Sequence, residues 1–395
     1  MDFIAMSKQH EGHIIALRRD FHAHPELSNQ EERTALKVRE ELDQLGIPYA
    51  QLDEHCVVGK LVGGQAGPGS PRLAIRADMD ALPVTEESGL PFKSSRDGVM
   101  HACGPDGHTA MLLGAAALLK AAQDRLRGTV YLCFQSAEEV SGGAQTILDH
   151  LEKEGGVDRA IAAHLWPQEA SGSICVTPGT RMASADGIEI EVDGRGGHGS
   201  RPDLSLDPIK PLCQIALAIS AVPVGRVSPL SPTVVHVGKI EGGTLGNIFP
   251  QFARLKGGLR AFSEDSREQA RQAIRMMAEH IAQAYGVKAR VDIRPDAPMV
   301  YNDPEACALA ARVLARHPVF ARAEYEPVCA SENFGCFLKR YPGFMAFIGT
   351  RNEQQGLVHT LHHPKFGIDE QVLSKGAAFF ALYADAFFEE AVSRN

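Results

Sequence analysis

Apolar residues follow two different rhythms along this chain. Between residues 57 and 165, short runs that are apolar without alternation (57–62, 72–77, 129–134 and 160–165) are separated by helical patterns, above all an Ala/Leu-rich stretch over 108–122. Strands of that kind are buried on both faces, so a mostly parallel sheet covered by helices is predicted. Ser28 followed by Glu31 has the spacing of a capping box, and Leu36, Val38, Leu42 and Leu45 then mark one helical face that ends at Gly46. The first helix is therefore placed over 29–45.

Near Asp186 the rhythm changes. Ile188, Ile190 and Val192 alternate with Glu189, Glu191 and Asp193, the pattern of a strand with one wet face. A helix over 207–221, strands over 233–240 and 251–262, a helix over 266–285 and a strand over 288–294 follow. In the second of those helices Ala270, Ile274, Met277 and Ile281 hold helical spacing and Gly286 stops it. This β-α-β-β-α-β order is that of a ferredoxin-like unit. Beyond Pro295 the first style resumes, with a helix over 304–316, a strand over 343–348 and a last helix over 369–390. The predicted fold is thus α/β: a discontinuous domain of residues 1–186 and 297–395 with helices on both faces of its sheet, and an inserted domain of residues 187–296.

Composition narrows the function. A chain of 395 residues with 44% hydrophobic and 6% aromatic content is a globular protein of about two domains. Its 40 basic and 49 acidic residues give a net charge of −9, which argues against nucleic acid or an anionic membrane as partner. The first residues lack a basic region followed by an apolar run, and no apolar stretch has the length of a membrane span. The 8 cysteines form no CxxC pair, so they read as reduced thiols and a cytoplasmic location is expected.

Candidate chemistry clusters where strand-like runs give way to turns. RADMDALP (76–83) places Asp78 and Asp80 there, HACGPDGH (101–108) places Cys103 before a helix, and QSAEE (135–139) places Glu138 and Glu139 after a buried strand. His164 closes another apolar run, and His362 and His363 precede Pro364. Cys, His and carboxylate together are the ligand set of a borderline-soft divalent metal, and a second adjacent carboxylate is the proton carrier that metal-assisted hydrolysis needs. A thiol at a helix N-terminus is expected to have a lowered pKa, so Cys103 reads as metal ligand or as nucleophile, with His101 or His108 as the partner the second role requires. His198 lies among glycines in GRGGHGS, just after the first strand of the inserted domain.

These segments, with FHAHPELSNQE (21–31), AHLWP (163–167), GGTLGNIFP (242–250) and LHHPKF (361–366), resemble in order and spacing the aminoacylase and carboxypeptidase metallopeptidase superfamily, most closely its hippurate hydrolase and indole-acetyl-amino-acid hydrolase branch. The resemblance implies a metal-dependent amidohydrolase that cleaves the amide bond of an N-acyl amino acid or related small amide. It implies one or two divalent ions, zinc or manganese with cobalt also accepted, and a homodimer formed through the inserted lid domain. By position Cys103, Glu139, His164 and His362 match metal ligands and Glu138 matches the general base. His198 matches a lid histidine that polarises the scissile carbonyl, and Asn247 and Arg260 match substrate-holding positions. Asp80 matches a carboxylate that orients a ligand.

The chain departs from the pattern in three places, one of them Gly199, Ser200 and Arg201, which replace the small apolar residues expected after the lid histidine. Pro105 stands where the family has a ligating histidine, and Asn333 stands in Ala330, Ser331, Glu332, Asn333, Phe334 where Gly-Ser-Glu-Asp-Phe is expected. Asp78, Asp106 or His363 could replace the missing ligand and preserve two ions. Alternatively the site is mononuclear, as in an aminohydrolase acting on an aromatic amine, or the scaffold only binds.

Overall fold

The computed structural model describes residues 1–394. The chain folds into two compact units, one of Met1–Gly179, Tyr301–Glu326 and residues 333–394, the other of Thr180–Val300 and Pro327–Glu332.

The first unit opens with α1 (Phe3–Ala23), α2 (Glu32–Leu45), β1 (Tyr49–Gln51), β2 (Val57–Val62), β3 (Arg72–Asp78), α3 (Pro105–Ala121), β4 (Thr129–Gln135), α4 (Ala144–Lys153), β5 (Arg159–Ala170) and β6 (Ser173–Cys175). After β7 (Gly179–Met182) the second unit supplies β8 (Ser184–Asp193), β9 (Gly197–His198), α5 (Ile209–Ser220), α6 (Val222–Gly225), β10 (Thr233–Gly242), β11 (Ile248–Phe249), β12 (Phe252–Ala261), α7 (Glu264–Ala284) and β13 (Lys288–Ala297). The chain then returns through β14 (Val300–Asn302) to α8 (Pro304–Arg316), β15 (Ala321–Arg322), α9 (Gly335–Arg340), β16 (Gly343–Arg351) and α10 (Gln371–Arg394).

An 8-stranded sheet of order β1-β2-β4-β3-β5-β16-β6-β15 forms the first unit. Its centre, β4-β3-β5-β16, is parallel, while β1, β2 and the β16–β6 pair are antiparallel. The strands are nearly continuous in buried residues, as a sheet with both faces covered requires. Their carboxyl ends carry Asp78, Gln135 and the segment after His164, the end of a parallel sheet where ligands bind. Leu73, Ile75, Val130, Leu132, Ile161, Phe344 and Ile348 fill one core with Leu112, Leu119 and Phe379 of the helices.

The second unit is a 4-stranded antiparallel sheet of order β10-β12-β8-β13 packed on α5 and α7, which is the ferredoxin-like arrangement. It has its own core, in which Ile188, Ile190 and Val192 of β8 meet Leu212 and Ile215 of α5 and Ala270 and Ile274 of α7. Among the described residues no helix is long and apolar enough to cross a membrane.

Three local expectations are corrected. The chain's first helix is α1, not a segment beginning at residue 29. Its inward stripe mixes Phe3, Ile14, Leu17 and Phe21 with Arg18 and His22, and those buried polar residues hide its apolar period. Ser28 and Glu31 are not a capping box either. Helix α2 starts at Glu32 with no side-chain cap, because Ser28 and Glu31 hydrogen-bond elsewhere, to Asp80 and to the Ala137 amide. Finally, α3 begins at Pro105 and not at 108, with Gly104 before it at φ 113°. A proline at the first helical position costs no hydrogen bond, because the backbone N–H it lacks would have no partner within the helix, so Pro105 leaves the fold intact.

Candidate active site

The acidic turn after β4 is the centre of the site. Glu138–Val140 form a single 3-10 turn between Ala137 (φ 57°) and Ser141 (φ 60°), both left-handed although neither is glycine. Such conformations are disfavoured and persist only where surrounding bonds impose them. Asp80, fully buried at the end of the β3 loop, supplies two of those bonds: its Oδ1 accepts from the Glu138 amide and its Oδ2 from the Glu139 amide, each at 3.0 Å. Ser28 Oγ donates to the same Oδ2 at 2.7 Å, and Glu31 Oε1 accepts from the Ala137 amide at 2.7 Å. Burial raises the pKa of Asp80, and Asp78 nearby adds to the rise.

Beside this turn Cys103 Sγ, a Glu139 carboxylate oxygen and a His362 ring nitrogen lie within 4.8 Å of one another. His362 reaches the group from a backbone at φ 63°, pinned by its amide to the Ala102 carbonyl at 2.7 Å, with its Nε2 3.8 Å from Glu139 Oε2. His164 Nε2 lies 3.6 Å from Cys103 Sγ. The other nitrogen of that ring, Nδ1, donates to the Leu165 carbonyl at 2.8 Å, which leaves the Nε2 lone pair turned to the thiol. Burial and the neighbouring His108 push the His164 pKa down to about 3, so the ring is neutral, the form that ligates metal. A set of one thiol, one carboxylate and two neutral imidazoles fits a divalent ion such as zinc.

The expected acidity of the Cys103 thiol is corrected. Its pKa lies well above the usual thiol value, because burial, then Glu139, Glu138 and Asp78, all oppose a second negative charge. Neither histidine proposed as its activating partner plays that role. His108 Nδ1 is 2.7 Å from Asp78 Oδ1 while its Nε2 accepts from the Leu165 amide at 3.0 Å, and neither ring nitrogen of His101 has a hydrogen-bond partner among the described residues.

The residues expected as stand-ins for Pro105 are held as follows. Asp78 bonds to His108 and lies 3.6 Å from Arg76 Nη1; burial alone would raise its pKa, but Arg76 and His108 hold it far below the usual carboxylate range. Its carboxylate also lies within 4.8 Å of that of Glu138. Asp106 Oδ2 is engaged by Arg18 Nε and His22 Nδ1, both at 2.8 Å. His363 stacks on His359 with ring centroids 4.3 Å apart and accepts the Lys365 amide.

In the second unit His198 is exposed on β9, where it pairs with Ile248 of β11, and its Nδ1 lies 2.8 Å from Ser200 Oγ. Asn247 is brought beside it, its carbonyl accepting from the Gly199 amide at 2.8 Å. Arg260 sits on β12 in register with Val234 and Ala185.

Sequence reasoning missed Ser28, Glu31, Arg76 and Asn333 as supports of this site. All four stand inside segments that were singled out, but nothing local signals which distant group each one meets.

Comparison with known proteins agrees with this chemistry. The model of peptidase family M20/M25/M40 matches residues 74–386. Thermostable carboxypeptidase 2 of Saccharolobus solfataricus is 39% identical over 388 residues, 96% of either chain. N-acetyl-L-cysteine deacetylase of Bacillus subtilis is 36% identical over 376 residues, 95% of this chain and 88% of that one. Among solved structures, the YXEP protein of Bacillus subtilis, described as a dinuclear metal binding peptidase from the M20 family, superposes with a TM-score of 0.84 at 33% identity over 97% of this chain and 99% of that one.

Proposed function

This chain belongs to peptidase family M20/M25/M40 and is a metal-dependent hydrolase, and from that premise we propose that it cleaves the amide bond of N-acyl amino acids or related small amides. The observation that carries the reading is the cluster of Cys103, Glu139 and His362 donors beside Glu138 on one strained turn. Cys103, Glu139, His164 and His362 would hold a divalent ion. When bound, zinc or manganese there supplies Lewis-acid polarisation and lowers the pKa of water at the site. Glu138 takes the water's proton and returns it to the departing amine; Asp80 fixes its backbone for that role. The relative named N-acetyl-L-cysteine deacetylase supports this substrate class, and the relative named thermostable carboxypeptidase 2 favours a peptide as the second reading.

In the second unit His198 polarises the scissile carbonyl, while Asn247 and Arg260 hold the polar or anionic end of the substrate. The unit is a lid and the site of homodimerisation: β10 is an open sheet edge that carries exposed Val234 and Ile240. None of the 8 cysteines forms a disulfide among the described residues, which supports a reducing, cytoplasmic setting.

The test is release of free amino acid from N-acetyl and N-benzoyl amino acids by wild type and by Glu138→Gln. The variant is expected to lose about 10²–10⁴-fold in kcat with its metal content unchanged. Undiminished turnover in a metal-replete Glu138→Gln protein would remove Glu138 from the mechanism.

A further inference from the structure

The turn that presents Glu138 and Glu139 is closed from within by the Gly142 amide on the Ala137 carbonyl at 2.7 Å and the Ser141 amide on the Glu138 carbonyl at 2.8 Å. From outside, one buried residue grips it at two points. The backbone N–H of Asn333 donates to Glu138 Oε1 at 3.1 Å, and its side-chain Nδ2 donates to the Gly142 carbonyl at 2.8 Å. Its Oδ1 accepts from Gln135 Nε2 at 2.8 Å and from Arg76 Nη2 at 3.2 Å. Asn333 is 1% exposed, so no solvent substitutes for these partners.

Both halves of the amide are therefore in use. An acceptor is needed toward Arg76 and Gln135, and a donor toward Gly142. An ionised carboxylate of the same size meets the first need but sets oxygen against oxygen at Gly142. It would also compete for Arg76, whose guanidinium bonds Gln135 Oε1 at 2.9 Å and lies 3.6 Å from Asp78 Oδ1. Asp78 in turn orients His108, and His108 receives the amide of Leu165, next to His164. The same amide thus ties the ends of β3 and β4 to the acidic turn.

We infer that Asn333 is a positioning residue: its side-chain amide closes the strained turn at Gly142, and its backbone N–H, held in place by that side chain, sets the direction in which the Glu138 carboxylate points. The inference rests on the reading of Glu138 as general base. A misdirected base slows the chemical step without weakening substrate binding, and displacement by an ångström suffices for a large effect.

The experiment places Asn333→Asp and Asn333→Ala in the wild type and in Glu138→Gln, with an N-acyl amino acid as substrate, and records kcat, KM and bound metal. In the wild-type background both variants are expected to lower kcat by about 10- to 100-fold with KM within about twofold and metal content unchanged. In the Glu138→Gln background the same changes should lower the residual rate by less than about twofold, because a residue that acts through Glu138 has nothing left to position. Equal losses in both backgrounds, or wild-type kcat in Asn333→Asp, overturn the inference while the base assignment stands. Full turnover in Glu138→Gln alone overturns both. Asn333→Ala keeps the test decisive if the aspartate variant does not fold, since it removes the side chain without adding charge.

Discussion

The acidic turn of the first unit and the glycine-rich loop around His198 in the second carry proposed functional groups in opposite ways. Half-buried Glu138 and Glu139 sit at the end of a parallel sheet on a turn that the buried Asp80, Glu31 and Asn333 hold from several elements, with Ser28 bonded to Asp80. His198 is exposed on a two-residue strand between glycines, and among the described residues its ring bonds only to Ser200. A group that must hold a metal and transfer a proton gains from a fixed geometry, whose strain the surrounding bonds offset. A group that meets only the substrate needs little support of its own. Substitutions at the first site should therefore damage activity and stability together, and at the second activity alone.

The sharpest way to break this contrast is Asp80→Ala. It removes two charge-assisted bonds to the amides of Glu138 and Glu139, each worth about 1.5–3 kcal/mol, so turnover should fall about 10²–10⁴-fold. The melting temperature should fall with it. An Asp80→Ala protein that keeps wild-type kcat would show that the turn holds itself.

Next in size is the buried charge network between α1 and the start of α3. His22 bonds Asp106 at 2.8 Å and Glu86 at 3.1 Å, with Arg18 beside it. Burial and Arg18 lower its pKa, but the bonds to Asp106 and Glu86 outweigh them and the net shift is upward. The stability this histidine contributes is therefore complete below its unfolded value of about 6.5 and is lost as pH rises through the higher folded value. His22→Ala should cost about 3–5 kcal/mol of unfolding free energy at pH 6 and visibly less at pH 9, read from denaturant curves of both proteins. A cost that grows with pH contradicts the assignment.

The smallest expected change in stability belongs to His198→Ala. Loss of one donor to the developing oxyanion should lower kcat about 10²-fold while the melting temperature stays within about 1 °C of wild type. Wild-type kinetics would take His198 out of the mechanism, and a large drop in melting temperature would end the contrast between the units.

Much of the architecture was legible because burial leaves a plain trace. The span of β2 was read residue for residue and the α8 span to its ends, and the alternation in β8 announced a second kind of sheet. The site was legible where chemistry-bearing residues fall at strand ends. What stayed hidden depends on distant partners. Helix α1 was overlooked because Arg18 and His22 face inward to meet Asp106, which spoils the apolar stripe. Ser28 and Glu31 mimic a capping box, yet Ser28 is spent on Asp80 and Glu31 on the Ala137 amide of the acidic turn. Asn333 stands out in its own segment only as a departure from the family pattern; its meaning lies in Gly142, Gln135 and Arg76, far away in sequence.

The central claim is a metal-dependent centre built on Cys103, Glu139, His164 and His362, and metal content per chain tests it most directly. Elemental analysis of wild type and Cys103→Ala, each purified without chelator and then incubated with zinc or manganese, should give one or two ions per chain in the wild type and a marked loss in the variant. Wild-type protein that takes up no ion, or a Cys103→Ala protein that binds as much as wild type, would contradict the account.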